Sequence, residues 1–134
     1  MFRLCLAALL LAAPAAADEM VFFQSPTKNI HCVISDGEWA EARCDMDQLT
    51  PTYTHQPDGC DVDWGKSFGV GPDSAKGALL CVGDTINLSD AQVLAYGKSI
   101  ALGGVTCVSA KTGMTCKNGA GHGFALARAK QSLF

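Results

Sequence analysis

The stretch KSIALGGVTCVSAKTGMTCKN, Lys98 to Asn118, decides the fold. Lys98 to Leu102 and Val105 to Ala110 are short runs of apolar and small residues, separated by Gly103-Gly104. Two glycines between such runs mark a two-residue hairpin, because both central positions of its turn need φ > 0. Lys111-Thr112-Gly113 then turns the chain into Met114 to Asn118, a third strand. If Ala110 opposes Gly113, partner residue numbers sum to 223, and Cys107 and Cys116 meet that condition. Opposed Cβ atoms in a non-hydrogen-bonded pair stand about 4.5–5.5 Å apart, slightly wider than a disulfide prefers. The register therefore predicts a Cys107–Cys116 bridge after a small local adjustment.

The same grammar extends towards the N-terminus. Phe22-Phe23-Gln24 runs into Ser25-Pro26, and Asn29 to Ser35 forms a second run. Asp36-Gly37 is a turn dipeptide, after which Ala40 to Met46 returns. Cys32 and Cys44 flank this turn as Cys107 and Cys116 flank theirs, which leaves Cys60 for Cys81. Thr50 to Pro72, rich in Pro, Gly and Asp, reads as an ordered loop, and Lys76 to Val82 (KGALLCV) as a buried strand. Ser89-Asp90-Ala91-Gln92 has capping-box spacing. Residues 89–96 are thus either a short helix ended by Gly97 or, through Val93 to Tyr96, a strand. The expected fold is mainly β, a small single-domain β-meander or barrel-like fold stapled by three disulfides, with at most one short helix. Each bridge is expected to add about 2–4 kcal/mol, largely by restricting the unfolded chain.

The first residues read as an address. Arg3 supplies a positive start, Leu4 to Ala13 an apolar run, and Ala15-Ala16-Ala17 a small-residue cleavage site. That run is too short for a bilayer core of about 30 Å. Residues 1–17 are therefore expected to be a cleaved secretory signal peptide, and 18–134 an exported, periplasmic or secreted, disulfide-bonded domain. Cys5 leaves with the leader. Cys32, Cys44, Cys60, Cys81, Cys107 and Cys116 remain, an even set in an oxidising compartment. No C-x-x-C occurs, so neither a zinc ribbon nor a redox dithiol motif is supported.

Composition narrows the function classes. At 134 residues, 49% hydrophobic and 17% charged, the chain is too apolar for disorder. A net charge of −3 argues against a basic nucleic-acid surface. The charge is unevenly placed: all 13 acidic side chains lie within residues 18–90, whereas residues 91–134 carry five cations and none. Two readings follow, an electropositive face for an anionic partner or two halves that attract one another, and the second is the simpler.

The chain resembles a family of small exported bacterial proteins, domain of unknown function 6636. The resemblance rests on Phe23-Gln24-Ser25-Pro26, Asn29-Ile30-His31-Cys32, Arg43-Cys44-Asp45, and Cys60 shortly before Asp63-Trp64-Gly65. It continues through Cys81-Val82-Gly83-Asp84, Tyr96-Gly97 and Gly104 to Ser109. Gly113 to Asn118, Gly121-His122-Gly123-Phe124 and Arg128 complete it. It implies a single exported, disulfide-bonded domain and brings no activity, substrate or catalytic residue.

Gly121-His122-Gly123-Phe124 is the most suggestive string for chemistry. Its glycines would let the backbone approach a ligand and present His122, the side chain suited to proton exchange near neutral pH. A catalytic histidine needs an orienting carboxylate or a nucleophile, and no linear signature supplies one. The plainer reading is a tight turn entering the last strand. Asp45/Asp47 and Asp61/Asp63 offer hard oxygen ligands or an acid/base pair, but the EF-hand order is absent and solvated loop acids are the default. Zinc on His31, His55 and His122 lacks any ligand spacing. Asp63-Trp64-Gly65 reads as a loop anchored by its indole.

The expected function is a non-enzymatic binding module at the cell envelope, with His122, Gly121, Gly123 and Trp64 as candidate contacts and no catalytic residue assigned. Its partner would be an envelope or extracellular ligand, with no nucleic acid, transmembrane segment, metal or cofactor, and the chain a monomer. The alternative is a small hydrolase of an envelope polymer using His122 and an aspartate from residues 58–63.

Overall fold

The computed structural model describes residues 19–134, so the leader predicted at 1–17 lies outside the described residues. The chain forms two sheets. The first contains β1 (Met20–Gln24), β2 (Ile30–Ser35), β3 (Glu41–Met46), β4 (Trp64–Val70), β5 (Ala78–Cys81) and β6 (Gln92–Val93), in the order β5-β4-β3-β2-β1-β6. The second is β11-β10-β9-β8-β7, from β7 (Ser99–Leu102), β8 (Val105–Ala110), β9 (Gly113–Asn118), β10 (Gly123–Ala127) and β11 (Lys130–Leu133). Both are antiparallel meanders, apart from the short parallel pairing of β6 with β1. The only helical element among the described residues is a 3₁₀ turn at Gly37–Trp39.

The register deduced for Lys98–Asn118 is the register of the structure. Leu102 pairs with Val105, Cys107 with Cys116, and Ala110 with Gly113. Gly103 and Gly104 take φ of +58° and +85°, the backbone such a turn requires. Along β8 the residues alternate buried and exposed, so Val105, Cys107 and Ser109 face inward. β2 and β3 repeat the device, with Cys32 opposite Cys44.

Disulfides join Cys32–Cys44, Cys60–Cys81 and Cys107–Cys116. The two cross-strand bridges have Cα separations of 4.1 and 4.0 Å, just inside the ~4.5 Å of non-hydrogen-bonded pairs. They meet in the interior, where Cys44 Sγ lies 3.8 Å from Cys116 Sγ. Neither sulfur carries a proton, so this is packing contact between the sheets. Around it lie Phe23, Ile34, Met46, Phe68, Met114, Phe124 and Leu126 in one contiguous core. Phe68 of the first sheet meets Phe124 of the second at 6.4 Å between ring centroids, a tilted pair.

Two local expectations change, and the alternative at residues 89–96 is decided. The expected loop over residues 50–72 contains β4, a strand inside the first sheet. Its glycines disguise it, since Gly in a strand ordinarily weakens it. Here Gly65 (φ +102°) sits where the β4–β5 register shifts, and Gly69 leaves room that Leu80 occupies. The run Lys76–Val82 is not a buried strand, because β5 lies at the sheet edge with Ala78 and Cys81 exposed. Residues 89–96 hold no helix but a turn followed by β6. The edge of β1 decides that, through Leu94 N donating to Gln24 O (2.9 Å) and Gln24 Nε2 donating to Ala91 O (2.8 Å).

The meanders give the molecule two ends. One gathers residues 26–29, the 47–63 loop, Lys111-Thr112 and Arg128-Ala129. The other gathers the 36–40 turn, the 71–77 loop, Gly103-Gly104 and residues 119–122.

Candidate functional site: two clefts at one end of the meanders

The Gly121-His122-Gly123 string lies at the second end. Asn118, 6% exposed, organises it. Its Oδ1 accepts from Ala120 N and His122 N, both at 3.1 Å, while its Nδ2 donates to Gly71 O (3.1 Å) and Ser74 O (2.8 Å). Gly121 takes φ +85°. A Cβ on Gly123 would collide with Cys116 O of the neighbouring strand, so that glycine serves close packing. His122 is half-buried, and among the described residues its ring joins no ion pair. Two strands, β10 and β11, follow this turn rather than one.

Trp64 and the acidic candidates sit at the opposite end. Trp64 opens β4 beside the edge, paired with Cys81, and its indole is half-buried rather than an interior anchor. β4 runs from Trp64 to Val70, next to the 71–77 loop that Asn118 holds. At about 3.3 Å per residue this separates Trp64 and Asp63 from the His122 turn by roughly 20 Å. The structure therefore does not bring His122 together with Asp58, Asp61 or Asp63.

Trp64 lines a cleft of about 460 Å³ together with Asp45, Asp47, Asp63, Lys66, Ser67, Asp84 and Thr85. Its carboxylates are largely committed. Arg43 holds Asp45 in a two-pronged pair, Nε to Oδ1 and Nη2 to Oδ2 at 2.9 Å each, and reaches Asp84 Oδ1 at 3.1 Å. Burial works against the charge of Arg43, but Asp45 and then Asp84 outweigh it, and the guanidinium pKa is raised. Asp47 pairs with His31 Nε2 at 3.1 Å. His31 is 4% exposed, and its Nδ1 is buried without a partner. Among the described residues the one close trio of potential ligand atoms is Cys44, Cys107 and Cys116, whose sulfurs are in disulfides.

A second cleft, of about 410 Å³, adjoins the first through Asp47. Lys28, Lys111 and Arg128 line it with Ser25, Thr27, Asn29, Gln48, Tyr96 and Thr112. Lys28 is the one non-glycine described residue with positive φ, at +60°. Arg128 Nη2 donates to the neutral Gln48 Oε1 at 2.8 Å. Sequence reasoning assigned none of these residues to a site, although the carboxylate-free tail was the available signal. Attraction between the halves was the simpler reading of that asymmetry. Yet every ion pair among the described residues lies within residues 31–84, and no cation of 91–134 joins one.

Fold and clefts together define a class: a disulfide-stapled β-protein of two facing meanders, with polar clefts at one end. A family model described as a family of unknown function (DUF6636) matches residues 4–134, and the chain belongs to that family. Neither a curated protein nor a solved structure matches it.

Proposed function

We propose that the protein is an exported binding module of the cell envelope whose ligand meets the end carrying Lys28, Trp64 and Lys111. The observation that carries this reading is the separation of His122 from the aspartates of residues 58–63. A hydrolase of the kind weighed above needs its acid and base to flank one substrate bond, within about 10 Å of each other, and roughly 20 Å lies between these groups. Two adjoining clefts of about 410 and 460 Å³ are of the size that holds small ligands. Trp64 remains a candidate contact under this reading, whereas His122 and Gly121 become turn residues and Gly123 a close-packed strand residue. Three disulfides and the leader-like N-terminus support export. No described helix is long and apolar enough to cross a membrane.

A photo-crosslinking residue placed in turn at Gln48, Lys66, Thr112, Gly119 and Ala120 in living cells tests the reading. Adducts are expected from the first three positions and not from the last two. Adducts confined to 119–120, or equal at both ends, would overturn it.

A further inference from the structure

We propose that the cleft of Lys28, Lys111 and Arg128 binds an acidic saccharide, a short sugar chain carrying carboxylate or phosphate groups. This rests on reading that end of the molecule as the binding end and adds the chemistry of what binds there.

Three turns from two sheets, at residues 26–29, 111–112 and 128–129, each bring one cation to the same concavity. Converging like charges oppose one another, and the chain has carboxylates to spare, with a net charge of −3. Even so, Lys28, Lys111 and Arg128 join no ion pair among the described residues. Arg128 Nη2 donates to a neutral amide oxygen, Gln48 Oε1, and among the described residues no carboxylate pairs with its charge. A planar guanidinium fork held this way suits a carboxylate or phosphate.

Asp47 then separates a sugar from a bare anion. Among the described residues it is the only carboxylate lining this cleft, and His31 Nε2 stands 3.1 Å from its Oδ2. A lone phosphate would gain nothing from that oxygen, whereas a hydroxyl-rich ligand donates hydrogen bonds to it. Tyr96, 41% exposed, lines the same cleft and offers a ring to the C–H face of a pyranose. Ser25 Oγ and Thr27 Oγ1 line the same cleft, hydrogen-bonded at 3.2 Å. The concavity does not fit a flat bilayer, and the negative net charge opposes a long polyanion such as nucleic acid. A short ligand satisfies both.

The test is backbone-amide shift mapping by NMR on the full chain, expressed with its own leader and purified oxidised. The probes are trigalacturonate for carboxylate, maltose 1-phosphate for phosphate, neutral maltotriose and inorganic phosphate. At least one acidic sugar is expected to shift the amides of Lys28, Thr112 and Arg128 saturably. Which one responds identifies the anionic group. The affinity should fall at least tenfold in the Lys111→Gln/Arg128→Gln double variant, and stay unchanged in Lys76→Gln at the far end. Retained amide dispersion checks that the variants fold. The proposal is overturned if neither acidic sugar binds, if maltotriose binds equally well, or if inorganic phosphate matches the sugars. Shifts confined to the Trp64 cleft overturn it while leaving the binding-end reading standing. Shifts confined to the His122 turn overturn both.

Discussion

Replacing the buried bridge Cys107–Cys116 by two alanines should cost more stability than replacing Cys60–Cys81, although loop-closure entropy ranks them the other way. The sequence separations are 9 and 21 residues. The chain-entropy relation converts these into about 2.6 and about 3.3 kcal/mol at 25 °C. Burial reverses the order. Cys107 and Cys116 are fully buried, and Cys116 Sγ packs against Cys44 Sγ of the opposite sheet, whereas only one end of the other bridge is buried, Cys60 in the 47–63 loop, and Cys81 is exposed. Each interior sulfur lost leaves a hole that costs about 1 kcal/mol. The 107/116 variant should therefore lose about 4–5 kcal/mol and the 60/81 variant about 3–4. Urea unfolding at 25 °C, with the remaining bridges verified oxidised by mass, measures both. A larger loss for the 60/81 variant would refute the reasoning and show that the bridges act only by closing loops. Removing the 32–44 bridge as well extends the test, since bridges in contact should give non-additive losses.

Further predictions rest on single positions. Gly113 opens β9 at φ +142°, and a Cβ there would collide with Leu126 O, so Gly113→Ala should cost at least about 2 kcal/mol. Gly119, with open space around its Cβ position, should tolerate alanine within about 0.5 kcal/mol, and thermal unfolding separates the two. Asn118→Ala removes its hydrogen bonds to Gly71 O, Ser74 O, Ala120 N and His122 N and should cost about 2–4 kcal/mol. His122→Ala should cost under about 1 kcal/mol, and an equal loss from both would show that the histidine itself holds the turn. Burial raises the Glu41 pKa above 4.5, with Arg43 pulling the other way. A raised folded-state value contributes stability below pH 4.5 that is lost as pH rises through it. Glu41→Gln should therefore stabilise the protein slightly at pH 7 and lose that advantage below pH 4.5. An advantage that grows on acidification would contradict this.

The placement of charge links sequence, fold and proposed role. Arg43 pairs with Asp45 and Asp84 at the first sheet, while among the described residues Lys28, Lys111 and Arg128 join no ion pair. A tail without acidic side chains is one way a small acidic protein keeps an electropositive concavity.

Hairpins were legible in the sequence because their determinants are local. Gly103-Gly104 sets a turn by itself, and once the turn is set, the two-residue period of a strand fixes which side chains meet, Cys107 and Cys116 among them. What tertiary structure alone decided is everything set by neighbours distant in the chain. β4 exists despite two glycines because Phe68 pairs with Cys44 of β3 and because Leu80 fills the space over Gly69. Residues 89–94 follow Gln24 rather than their own capping pattern. The clefts are the extreme case: Lys28, Lys111 and Arg128 are far apart in sequence, and only the stacking of two meanders brings their turns to one end. Local propensity acts over a few residues, whereas a site assembled from three turns is specified by the packing of the sheets that carry them.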